Sequence, residues 1–135
     1  MKSVLVIDDD DAVREALKRT LVRAGYLVRT ASSGEDGLME LRDECTDVVI
    51  TDIIMPNLNG VDTIKAIAKE FPQVRIVAIS GGGNFGVTEY RPSAITTTAY
   101  LTSAKVAGAH MVLTKPFEMS DVIGAIEQGS DGASS

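Results

Sequence analysis

Four consecutive acids, Asp8-Asp9-Asp10-Asp11, follow directly on the apolar run Val4–Ile7. Another acid, Asp52, closes the strand-like stretch Asp47–Thr51, Ser80 follows Val74–Ile79, and Thr114-Lys115-Pro116 follows Met111-Val112-Leu113. Adjacent carboxylates repel, and crowding them at a sheet edge is costly unless a cation neutralises them. Hard oxygen ligands with a few waters are what Mg²⁺ takes, usually through one or two carboxylates. Lys115 brings a positive charge to the same end of the strands and Ser80 a hydroxyl, so the set suits a phosphoryl group carried on or near a carboxylate. Each residue also has a plainer reading. Asp10 and Asp11 fit a helix N-cap and a first-turn acid. Asp8 and Asp9 could be solvated loop residues, Asp52 a turn residue and Lys115 a surface charge. The inference rests on their coincidence at strand ends.

The elements that must position them alternate in type. After the first strand, Val13, Ala16, Leu17, Leu21 and Ala24 recur at spacings of three and four, and Gly25 supplies a stop. Tyr26–Thr30 reads as a strand, and Ser32 with Glu35 has the spacing of a capping box ahead of a helix carrying Leu38 and Leu41. Asp47–Thr51 is a strand and Ile53–Gly60 a loop. Val61–Glu70 is a helix with Ile64, Ile67 and Ala68 on one side, closed by Phe71-Pro72. A fourth strand, Val74–Ile79, leads into the glycine-bearing stretch Gly81–Gly86. Ser93–Ala107 reads as a helix ended by Gly108, Met111–Leu113 as the fifth strand and Met119–Glu127 as the fifth helix. Residues 1–128 thus form one domain, and 129–135 a short, polar, frayed tail. Five strands each followed by a helix argue for an α/β fold, with a doubly wound parallel sheet covered on both faces. Such sheets bind ligands beyond the carboxyl ends of their strands.

Composition narrows the function. With 135 residues the chain is one domain long, and 13 Lys+Arg against 19 Asp+Glu leave a net charge of −6. That balance disfavours nucleic-acid binding, which normally presents a basic stripe to phosphates, and adhesion to anionic lipid. No apolar run approaches the roughly 20 residues of a membrane helix, and the N-terminus lacks a signal-peptide core. One cysteine, Cys45, excludes an internal disulfide and fits a reducing cytoplasm. One histidine, His110, excludes clustered His/Cys zinc sites. His110 precedes a buried strand and reads as structural, and Cys45 as a small buried hydrophobe.

Asp8-Asp9, Asp52 followed by Met55-Pro56-Asn57 and Gly60, Ser80, and Lys115-Pro116-Phe117 resemble the receiver domain of two-component response regulators, in order along residues 2 to about 128. The resemblance implies a flavodoxin-like (βα)5 fold with strand order 2-1-3-4-5, similar to single-domain chemotaxis-type regulators with no fused output domain. It implies that Asp52 accepts a phosphoryl group from a sensor histidine kinase or a histidine phosphotransfer protein, as a phosphoprotein rather than an enzyme. Asp9, Asp52 and the main-chain carbonyl of Ile54 would ligate Mg²⁺ (or Mn²⁺), with Asp8 assisting mainly through water. Ser80 would hydrogen-bond one phosphoryl oxygen and Lys115 would pair with another. Because phosphoryl transfer passes through a loose transition state, the protein mostly positions groups and neutralises charge. Output would pass to a downstream target protein or onward along a phosphorelay, and some receivers dimerise through their last two helices and strand.

Some residues depart from the family pattern. Val112 stands three residues before the lysine, where the family's switch aromatic lies, and strand packing accounts for it. Tyr100 is an alternative carrier of the signal. The segment Gly82–Pro92 lengthens the path from Ser80 to Lys115 and is expected to act as a lid or partner surface. Neither Ile54, two after Asp52, nor Gly82, two after Ser80, has a side chain that can align a water, which predicts slow intrinsic loss of the phosphate. Two rivals are weaker. Asp9-x-Asp11-x-Val13 matches the nucleophile motif of haloacid-dehalogenase-type phosphohydrolases, but the later acidic pair is missing. Gly81–Gly86 spells the dinucleotide fingerprint, but Pro92 intervenes where a helix should open. A degenerate receiver acting only as a protein-binding module is the remaining alternative.

Overall fold

The computed structural model describes residues 2–53, 60–80, 108–114 and 118–134. In chain order these form β1 (Ser3–Ile7), α1 (Asp11–Arg23), β2 (Leu27–Ala31), α2 (Gly34–Asp43), β3 (Val48–Asp52), α3 (Gly60–Glu70), β4 (Arg75–Ser80), β5 (Met111–Thr114) and α4 (Met119–Ser134). The strands make one five-stranded sheet in the order β2-β1-β3-β4-β5, and every neighbouring pair is parallel. This is the doubly wound order expected from the resemblance. The fourth helix expected over 93–107, the loop 82–92, Tyr100 and the glycine motif at 81–86 lie outside the described residues.

Alternation along the strands sends successive side chains to opposite faces and creates two cores. Leu5, Ile7, Val49, Ile76 and Ala78 pack with Leu38 and Leu41 of α2 and Ile64 and Ile67 of α3. Val4, Val6, Ile50, Val77 and Ile79 pack with Leu17 and Leu21 of α1 and Val122 and Ile126 of α4. Burying each such Leu, Ile or Val contributes roughly 1.5–3 kcal/mol. Val112 lies partly buried against the first of these cores, as strand packing requires. Within β3 the one polar residue before Asp52 is Thr51, which is buried and whose hydroxyl donates to the Asp52 carbonyl at 3.1 Å.

Local signals explain where the helices begin and end. Asp10 caps α1, its carboxylate accepting from the N–H groups of Ala12 and Val13 at 2.9 and 3.3 Å, and Asp11 sits in the first turn. Gly25, at φ 102°, turns the chain out of α1 in the left-handed region that favours glycine. The cap of α2 differs from the expected Ser32–Glu35 pair. Ser33 is the cap, accepting from Asp36 N–H at 3.1 Å. The reason is that β2 continues through Ala31, so Ser32 is still part of the extended link. Gly34, Gly37, Leu38 and Leu41 then set the buried stripe of α2. Pro72 follows the last turn of α3, as its missing N–H requires. The final helix runs to Ser134 rather than ending at Glu127. No proline interrupts it, and extending an anchored helix adds a backbone bond for each residue fixed.

Cys45 is exposed, not a buried hydrophobe. It lies in the short link between α2 and β3, where the buried position is taken by Thr46, whose hydroxyl is satisfied by the Val48 carbonyl at 2.9 Å. Cys45 Sγ instead lies 3.6 Å from Gln73 Nε2.

Candidate functional site

The carboxyl edge of the sheet gathers the acids. Parallel pairing of β1 with β3 sets Ile7 against Thr51, so Asp8, just past the end of β1, stands beside Asp52, the last residue of β3 and still paired with Ile79 of β4. Both are buried, at 2% and 7% exposure, while Asp9 is exposed. One carboxylate oxygen from each of Asp8, Asp9 and Asp52 lies within 4.8 Å of the others, a grouping able to hold a metal ion. Two buried carboxylates at that distance repel by about 3 kcal/mol at an effective dielectric near 20. Hard, close-set oxygens of this kind fit a small divalent cation such as Mg²⁺ and would not suit a soft metal.

The acidic loop is held by its own backbone and by α1. Asp8 N–H donates to the Ala31 carbonyl at 3.1 Å, tying the loop to the end of β2. Asp10 N–H donates to Asp8 Oδ1 at 2.9 Å, which fixes the Asp8 carboxylate. Arg14, on the first turns of α1, donates from Nη1 to the Asp8 carbonyl at 2.7 Å and pairs through Nη2 with Asp11. Arg14 escapes sequence reasoning because its partner is a main-chain carbonyl. The only sequence signal is its i,i+3 spacing from Asp11.

Of the expected site residues, Asp8, Asp9 and Asp52 are brought together. The backbone of Ser80 ends β4 and pairs with Thr114, so it stands at the same sheet edge. Ile54 and Lys115 lie outside the described residues. Asp11, needed by the phosphohydrolase rival, is instead a helix residue whose side chain is 87% exposed and paired with Arg14. His110 accepts from Ile76 N–H on Nδ1 at 3.0 Å, while its own N–H donates to the Ile76 carbonyl at 2.8 Å. It therefore continues the β4–β5 ladder, in keeping with the structural reading.

Residues 4–127 match the response regulator receiver domain family. The chain belongs to that family. The chemotaxis protein CheY of Thermotoga maritima is 33% identical to this receiver domain over 130 residues, spanning 96% of the chain and 98% of that protein. The crystal structure of a CheY-like response regulator receiver domain protein from Methanospirillum hungatei shares the fold, with a TM-score of 0.83 at 23% identity, over 98% of this chain and 95% of that one. A response regulator protein from Burkholderia pseudomallei, whose structure holds a phosphorylated aspartic acid, a calcium ion and citrate, has a TM-score of 0.78 at 25% identity. The match covers 99% of this receiver and 71% of that chain. The receiver also matches transcriptional regulators, of which it spans only between 22% and 31% of the length. Membership places the chain in two-component signalling. No helix among the described residues is long and apolar enough to cross a membrane.

Proposed function

We propose that this receiver takes a phosphoryl group onto Asp52 from the phosphohistidine of a sensor kinase or a histidine phosphotransfer protein. The observation that carries the reading is the convergence of Asp8, Asp9 and Asp52 within 4.8 Å at the carboxyl edge of the sheet. Asp9, Asp52 and the Ile54 carbonyl hold Mg²⁺ or Mn²⁺, with Asp8 acting mainly through water. The bound cation supplies positive charge that offsets the phosphoryl oxygens facing a carboxylate nucleophile. A carboxylate oxygen of Asp52 forms the new bond to phosphorus. The bond from phosphorus to the donor imidazole breaks, its electron pair stays on the ring nitrogen, and the ring takes up a proton. Ser80 donates its hydroxyl to one phosphoryl oxygen and Lys115 pairs with another. In the phosphorylated protein these new partners draw on the strand ends that carry them, which changes the surface offered to a target protein. The receiver acts in the cytoplasm and turns over no substrate of its own. Its phosphate is lost slowly, because Ile54 and Gly82 offer no group to orient a water.

Phosphoramidate, a small donor with a P–N bond, tests the chemistry. Incubation with Mg²⁺ is expected to give a phosphate that is labile in alkali, as an acyl phosphate is. A label that is acid-labile and alkali-stable would instead place the group on a nitrogen, of His110 or a lysine, and overturn the assignment.

A further inference from the structure

Asp9 is the exposed member of the acidic cluster, so packing does little to fix its direction. Its backbone, however, is constrained from the preceding peptide. The Asp8 carbonyl and the Asp9 N–H belong to one rigid plane, so whatever holds the carbonyl also aims the Asp9 Cα. Arg14 holds it, with Nη1 at 2.7 Å. The same guanidinium is anchored at its other nitrogen by Asp11, and the Arg14 main-chain N–H donates to the Asp10 carbonyl at 2.9 Å. Arg14 is mostly buried, with 19% of its side chain exposed, so its fork has little freedom. It therefore clasps both ends of the four-acid run, and a planar fork with two fixed partners orients a peptide better than a flexible ammonium would.

We propose that Arg14 is a positioning residue for the cation site, setting the direction from which the Asp9 carboxylate reaches the ion. The inference rests on the acidic cluster binding a divalent cation, as argued above. It makes a prediction opposite in sign to simple electrostatics. A positive charge beside the cluster, acting only as a charge, weakens cation binding, so its removal should tighten it. A positioning residue does the reverse, and losing an outer-shell partner of a metal ligand typically costs 10–100-fold in affinity.

The experiment is an amide NMR titration of the whole chain with MgCl₂, comparing wild type, Arg14→Met and Arg14→Lys. Hydrogen exchange at the Asp10 amide is measured in the metal-free proteins. Dispersed signals from β1 and β3 report folding in each variant. Arg14→Met is expected to weaken Mg²⁺ by about tenfold and to speed exchange at Asp10. Arg14→Lys, which keeps the charge but not the fork, is expected to fall between it and wild type. Should Arg14→Met not fold, the Lys variant decides: weaker binding and faster Asp10 exchange support the clasp, and wild-type values overturn it. Unchanged or tighter Mg²⁺ binding in Arg14→Met overturns the proposal while leaving the cation site intact. Wild type that shows no Mg²⁺-dependent shifts overturns the cation site itself, a result distinct from the first.

Discussion

Asp8 and Asp52 are carboxylates removed almost entirely from water, and each lies beside another acid. In the absence of a cation their mutual repulsion works against folding. Asp52→Asn, which removes one charge and keeps the shape, is therefore expected to stabilise the metal-free protein by up to about 3 kcal/mol, or several degrees in melting temperature. The gain should shrink in saturating Mg²⁺, because the ion stabilises only the native cluster. Thermal denaturation in chelator and in Mg²⁺ measures both. These acids are legible in the sequence because several of them fall together at the carboxyl ends of predicted strands, although each alone has a plain structural reading. Asp10 and Asp11 are legible as a cap and a first-turn acid because they stand immediately ahead of the helix-period residues of α1. Arg14 is not, since a contact with a main-chain carbonyl leaves no trace in residue types. Cys45 misleads because sulfur chemistry says what a thiol prefers, not which side of a link faces water.

Among the elements, α2 packs tightly on the sheet at Gly37. A Cβ built on Gly37 would stand 2.3 Å from Ile7 Cδ1 and 2.8 Å from Ile7 Cγ1, and Ile7 is fully buried beside Asp8. Overpacking of this kind costs about 1–3 kcal/mol, which outweighs the gain of up to about 1 kcal/mol that alanine brings to a helix interior. Gly37→Ala is expected to destabilise the fold in urea titrations. Gly124→Ala in α4 is the contrast, because nothing lies within 4 Å of its new methyl, and it should stabilise by about 0.5–1 kcal/mol. A second link, from Tyr26 to Glu127, fastens the start of β2 to α4. Burial, the hydrogen bond to Glu127 and its negative charge together push the Tyr26 phenol up to about 12. The folded protein then holds a proton that the unfolded chain releases near pH 10. Stability from this group is complete below pH 10 and falls as pH rises towards 12. Denaturant midpoints across that range should decline more steeply in wild type than in Tyr26→Phe. Helix and strand identities are readable from periodicity, but the Ser33 cap and the length of α4 are not. They depend on where the neighbouring strand ends and on how far an anchored helix propagates.

At the scale of the whole molecule, the order β2-β1-β3-β4-β5 brings the ends of β1 and β3 to the centre of one edge, with β4 beside them. This order follows from the family resemblance rather than from periodicity, which predicts five parallel strands but cannot rank them. Two cores on opposite faces make the sheet a rigid platform, so chemistry at its edge is positioned by the packing of the entire domain. The central claim is that this edge accepts one phosphoryl group, on Asp52, with the help of a divalent cation. Intact-protein mass after incubation with acetyl phosphate tests it most directly, run with Mg²⁺, with chelator, and with Asp52→Asn. A single phosphoryl adduct that needs both the cation and Asp52 is the predicted result. An adduct that persists in chelator or in Asp52→Asn would contradict the account.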